Sequence, residues 1–112
     1  MNPGEICIIP FQQADGIIKR RPGLIISLVP PFNDYLVSLI TSQTSRAEDK
    51  LDELIDSAHI DWAISGLKSP SVIRTAYLTT FPRQRIQGGV GKVSNTTLIK
   101  IKNNLKTFLD NN

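Results

Sequence analysis

GLIISLV at residues 23–29, a double proline at 30–31, and YLVSLIT at residues 35–41 together decide the fold. Both apolar runs are short, rich in β-branched residues and bounded by turn formers, so they read as strands. Toward the N-terminus, Gly4 to Phe11 (GEICIIPF) repeats the pattern behind Pro3-Gly4 and reads as an earlier strand. Gln12 to Arg21 is polar, contains Asp15-Gly16, and reads as a loop or wide hairpin. The first 41 residues therefore spell strands and no helix.

Further along, Ser42 to Asp52 is polar and reads as a loop or frayed turn, and Glu53 to Ser57 as a short strand. His59 to Ser65 fits a short helical turn stopped by Gly66. Ser71 to Tyr77 (SVIRTAY) is another strand. Arg85 to Val93 is a short strand interrupted by three glycines, a pattern suited to a bulge or tight corner. The last segment is helical: Ser94 is a suitable N-cap. Leu98, Ile101, Leu105, Phe108 and Leu109 then recur every three to four residues. That stripe faces a core or a partner. The fold class is mostly β (α+β): a small barrel or strongly curved sheet closed by a C-terminal helix.

The 112 residues amount to one domain, residues 1–112. With 40% hydrophobic and 21% charged residues, a folded core is the default rather than disorder. Aromatics are only 6%, so Ile, Leu and Val must build it. Cys7 is the single cysteine, which excludes a disulfide framework and a thiolate zinc cage. Nothing resembles a signal peptide, and no apolar run approaches the roughly 18 residues of a membrane span. The expectation is a soluble cytoplasmic protein with no membrane partner.

Charge is divided unevenly. Residues 1–65 hold five Lys/Arg and nine Asp/Glu, whereas residues 66–112 hold eight Lys/Arg and one acid, Asp110. A basic half suggests an anionic partner, although Lys100, Lys102 and Lys106 also suit a wet helix face. The Glu48-Asp49 and Asp52-Glu53 run reads as a solvated turn rather than a magnesium site. His59, beside a short amphipathic turn, reads as a satisfied boundary histidine. No metal or cofactor is expected.

What remains is arginine and hydroxyl chemistry. Lys19-Arg20-Arg21 ends the loop where Pro22 forces an extended backbone. A guanidinium fixed there can fork onto a phosphate, or the basic turn can simply solubilise the chain. Thr41-Ser42-Gln43 closes a strand as a hydrogen-bonding cup, or as a plain strand end running into a polar loop. Arg74, inside an otherwise apolar strand, needs a partner, a groove or an open face.

These segments, in order, carry a resemblance. Pro3 to Ile6 (PGEI), Arg20 to Ser27 (RPGLIIS after Arg20), Leu39 to Gln43 (LITSQ), Gly66 to Arg74 (GLKSPSVIR) and Gly91 to Ser94 (GKVS) look like the PemK/MazF toxins of toxin–antitoxin modules. The resemblance covers nearly the whole chain. It implies an SH3-like β-barrel with a C-terminal helix, usually a homodimer, that cleaves single-stranded RNA without a metal. The implied reaction is attack of a 2′-hydroxyl on the adjacent phosphate, with an antitoxin blocking the groove. By the same resemblance Arg21, Thr41 and Arg74 are catalytic and Ser42 contacts the RNA; Lys19 and Arg20, as a supporting positive field, and Gln43, from the hydrogen-bonding cup, are expected to bind RNA as well. One departure stands out. Several members carry an acidic residue two positions after the strand arginine, and here the run is Arg74-Thr75-Ala76. Asp15 or Glu5 could substitute for it. Because an arginine pKa exceeds about 12, Arg21 is assigned an electrostatic role and the base is left open. The alternatives are a non-catalytic member binding RNA or an antitoxin-like peptide, and a CcdB-like gyrase inhibitor acting through Asp110-Asn111-Asn112.

Overall fold

A long hairpin starts the chain. β1 (Glu5–Gln12) and β2 (Ile18–Val29) pair antiparallel in a computed structural model that describes residues 1–112. β3 (Asp34–Thr41) follows, then a 3-10 turn at Thr44–Arg46, β4 (Glu53–Ile55), α1 (Trp62–Ser65) and β5 (Ser71–Phe81). A second 3-10 turn at Arg83–Arg85, β6 (Gly88–Lys92) and α2 (Asn95–Asp110) complete it. The six strands form one sheet in the order β4-β5-β3-β2-β1-β6, every neighbour antiparallel. The sheet curls into a half-barrel whose outer strands, β4 and β6, do not pair with each other.

The core explains why GLIISLV shows no clean alternation. Ile6, Leu24, Ile26, Ile40, Ile55 and Ile73 pack with Val93, Leu98 and Ile101 on the face covered by α2. Cys7, Ile9, Ile25, Tyr35, Val37 and Phe81 form a second cluster, with Leu39 and Ile86 against it. A sheet buried on both faces needs continuous apolar strands. The core is aliphatic, as the composition requires. Only two apolar residues of the α2 stripe, Leu98 and Ile101, are buried; Phe108 and Leu109 are exposed.

Two expectations about local structure change. The basic segment is not in a loop: Lys19, Arg20 and Arg21 belong to β2, opposite Phe11, Pro10 and Ile9 of β1. The turn is shorter, with Gln13 N donating to Ile17 O at 2.9 Å and Gly16 at φ +86°. Pro22 is tolerated because pairing of β2 with β3 begins only at Gly23, so its missing N–H lies where the β3 side is open. Polarity suggested a loop, but the projecting half of this hairpin is simply a wet two-stranded arm.

The second change concerns β5, which runs on to Phe81 through a three-residue bulge. Leu39 pairs with Arg74 and Ser38 with Leu78, leaving Thr75, Ala76 and Tyr77 unpaired with β3. The freed backbone groups find partners: Ser38 Oγ donates to Thr75 O at 3.1 Å, and Thr75 N donates to Asp52 Oδ1 at 3.0 Å. Bulges of this kind re-aim side chains. The glycines of β6 do provide the corner expected of them. Ile6 and Cys7 face Gly91 and Gly89, so Val90 is the extra residue.

Ser94 caps α2 as its sequence position suggests, its Oγ accepting from Thr97 N at 3.3 Å. It is held in turn by Asp61 Oδ2, which accepts from Ser94 N and Ser94 Oγ at 3.0 Å each. Burial alone would raise the Asp61 pKa. Hydrogen bonds from Thr97 and from Ser94, with the charge of His59, outweigh it and hold the carboxyl below its usual range. The sign follows from linkage. A folded pKa below the unfolded one gives stability that is present above the ordinary carboxylate value of about 4 and lost as pH falls through the folded value. Asp61→Asn should therefore cost roughly 1–3 kcal/mol at pH 7. The gap to wild type should close below about pH 4. Urea unfolding of both proteins across pH 3–7 checks it, and a gap independent of pH would refute the assignment.

Candidate functional site

Strand alternation places Arg21, Leu39, Thr41 and Arg74 on the sheet face opposite α2. There they line one groove of about 400 Å³ with Phe11, Gln13, Ala14, Gln43, Arg46 and Tyr77. The groove floor is thus β2, β3 and β5, the β1–β2 hairpin arm forms one wall, and the 3-10 turn with the β5 bulge forms the other. Arg21, Thr41, Gln43 and Arg74, widely spaced in sequence, come together. Thr41 Oγ1 accepts from Gln43 N at 3.2 Å, which holds the strand end in a tight turn.

The other candidates lie elsewhere. Arg20 faces Pro10 on the opposite side of β2 from Arg21, and Lys19 is exposed farther out along the arm, opposite Phe11. Ser42 is exposed and does not line the groove. Neither proposed substitute carboxylate is near Arg21's position in the sheet. Asp15 accepts from Ile17 N at 2.9 Å within its own turn, and Glu5 pairs with Lys92 at the other end of β1.

Three arginines meet in the groove, because Arg46 joins from the 3-10 turn. The sequence offered no pattern for Arg46, which sits in a polar stretch without periodicity. Tyr77 could not be placed either, since the bulge resets the face of every residue after Arg74. Tyr77 is 54% exposed, and the Arg74 guanidinium carbon stands 4.2 Å from its ring centroid. Gln13 Nε2 is buried without a hydrogen-bond partner.

The acidic run also differs from expectation. Glu48 and Asp49 do lie in an exposed turn, but Asp52 and Glu53 turn inward. The Asp52 side chain is 1% exposed, its Oδ2 lies 2.9 Å from Arg74 Nε, and it also accepts from Glu48 N at 3.0 Å. The contact with Nε is close but off the N–H axis, so it acts as an ion pair rather than an aligned hydrogen bond. Glu53 bridges His59 Nε2 at 2.8 Å and Lys100 Nζ at 3.0 Å. His59 Nδ1 accepts from Asp61 N at 2.9 Å, so the ring is satisfied at both nitrogens and lies outside the groove. These acids turn inward because each finds a cation, which is what burial of a charge demands. Cys7 is excluded as a nucleophile: burial pushes its thiol up to about 11, so it stays neutral near pH 7.

A curled antiparallel half-barrel with guanidinium groups, a threonine and an amide in one open groove defines a small β-domain suited to an extended anionic ligand. The chain belongs to the PemK-like, MazF-like toxins of type II toxin–antitoxin systems, whose family model matches residues 2–109. Its fold is similar to that of the Mycobacterium tuberculosis toxin MazF-mt6. The TM-score is 0.71 at 20% identity, covering 95% of this chain and 96% of that one. It is similar as well to the Deinococcus radiodurans MazE–MazF structure, with a TM-score of 0.62 at 19% identity, over 97% of this chain and 94% of that one. A search of curated proteins returns no match. No helix is long and apolar enough to cross a membrane.

Proposed function

We propose that this toxin is an endoribonuclease that cleaves single-stranded RNA in the arginine-lined groove. The convergence of Arg21, Thr41 and Arg74 from three strands carries this reading. The 2′-hydroxyl attacks the adjacent phosphorus and loses its proton. The bond from phosphorus to the 5′-oxygen breaks, and that oxygen takes up a proton. The products are a 2′,3′-cyclic phosphate and a 5′-hydroxyl. Negative charge grows on the non-bridging oxygens in the transition state, and Arg21 and Arg74 supply fixed positive charge where it grows. Thr41 and Gln43 orient the backbone, while the exposed Tyr77 ring offers a stacking surface to an unpaired base. The chemistry uses groups that need no metal, so cleavage should continue in EDTA. Incubating the purified protein with a long single-stranded RNA in EDTA, with end-group analysis of the fragments, tests it. RNA that stays intact under all conditions would sink the proposal.

A cognate antitoxin, like the MazE in the Deinococcus radiodurans structure, would inhibit the toxin by occupying the cationic groove. A homodimer is proposed from the exposed end of the α2 stripe, Phe108 and Leu109, which the chain leaves uncovered. Light scattering at micromolar concentration should give twice the 12.4 kDa chain mass. A single chain mass there would remove the dimer from the proposal.

A further inference from the structure

The groove arginine of β5 has a dedicated partner in a different part of the chain from the position where several relatives carry their acid. We infer that Asp52 is a positioning residue for Arg74, an inference that rests on the ribonuclease reading of the groove. Asp52 sits just before β4, the strand that pairs with β5. Its carboxylate is fixed from two sides by backbone: Glu48 N on Oδ2 and Thr75 N on Oδ1, each at 3.0 Å. The Arg74 Nε lies 2.9 Å from Oδ2. Thr75 belongs to the bulge, so the same carboxylate holds both the arginine and the backbone that aims it.

The geometry leaves a division of labour. Arginine has five N–H donors. With Nε against Asp52 and the guanidinium plane near the Tyr77 ring, the terminal amino groups remain for the groove. An arginine held in this way is already ordered when substrate arrives. Asp52 itself is not a groove residue, and its side chain is 1% exposed. It therefore acts through Arg74 and does not reach a 2′-hydroxyl. It is a clamp on Arg74 and does not supply the base that Ala76 leaves open.

A double-mutant cycle tests this. Asp52→Asn should lower kcat on single-stranded RNA on the order of 10-fold or more, with KM changed less than about threefold. In an Arg74→Ala background the same substitution should cost nothing further. Equal losses in both backgrounds would show a merely structural role and overturn the inference, as would full activity of Asp52→Asn. A second readout does not need activity. In wild type the Arg74 Nε–H resonance should be ordered by the 15N heteronuclear NOE, and Asp52→Asn should make it mobile. A mobile Arg74 in wild type would overturn the clamp. A wild-type protein that leaves RNA intact would sink the ribonuclease reading instead, and the resonance would then decide the clamp by itself.

Discussion

Arg21→Ala should lower kcat/KM on single-stranded RNA by about 10² to 10³, whereas Arg20→Ala should change it by less than about threefold. The two arginines are adjacent in β2 but face opposite sides of the sheet, with Arg21 lining the groove and Arg20 opposite Pro10 outside it. Removing a positioned cation from a transition state with growing phosphate charge costs roughly 2.7–4 kcal/mol. Removing a charge that acts only through solvent is screened within about 8–10 Å at ordinary salt. The small Arg20 effect should therefore fade as salt rises, while the Arg21 effect persists. Neither substitution touches the pairing of β1 with β2, because the ladder is made by backbone. Both variants should keep wild-type stability to within about 0.5 kcal/mol. Initial rates on one RNA at two salt concentrations, with a thermal melt of each variant, check this. Equal losses at the two positions would mean that net charge, not geometry, binds the ligand.

That comparison shows which physical signals the chain carries openly. Strand existence was legible because Ile, Leu and Val cluster in short runs between Pro and Gly, and α2 was legible through its cap at Ser94 and its spacing. The face on which a residue lies was not. It depends on register, and at the groove this is set by the hairpin that takes Lys19 to Arg21 into β2 and by the bulge at Thr75 to Tyr77. A one-residue change of register exchanges the faces, which is why Arg20 and Arg21 could not be told apart by position alone. The ordered resemblance selected Arg21, Thr41 and Arg74, which line the groove, and Ser42, which does not; Gln43, from the hydrogen-bonding cup at the end of β3, lines it as well. It could not select Arg46, which depends on how a polar turn folds back, nor Asp52, whose burial depends on meeting a cation 22 residues away in sequence. Polarity argued for solvent at Asp52. An ion pair and two backbone N–H groups reverse that argument, because together they replace the water that the carboxylate gives up.

Ile101→Ala should destabilise the fold by about 2–5 kcal/mol, and Ile99→Ala by less than about 0.5 kcal/mol. The two sites share one helix and one residue type, and they differ in what they touch. Ile101 is 0% exposed in the cluster that joins α2 to Ile6, Leu24, Ile26, Ile40, Ile55 and Ile73; Ile99 is 51% exposed. A helix of 16 residues is marginal by itself in water, so α2 is held by this contact rather than by propensity. Truncation at Ile101 loses the transfer free energy of the buried carbons and leaves a cavity that the curled sheet cannot close around. Against a typical stability of about 5–15 kcal/mol, that is a large share of the total. The melting temperature should fall on the order of 10–20 °C. The consequence for the groove is indirect, since Ile101 lies on the opposite sheet face from Arg21 and Arg74. Below its lowered melting temperature the Ile101→Ala protein should cleave RNA with near wild-type kcat, which a temperature series of initial rates would show. A loss of kcat at temperatures where circular dichroism reports a folded protein would mean that α2 governs the groove through the sheet, and that the two faces are coupled.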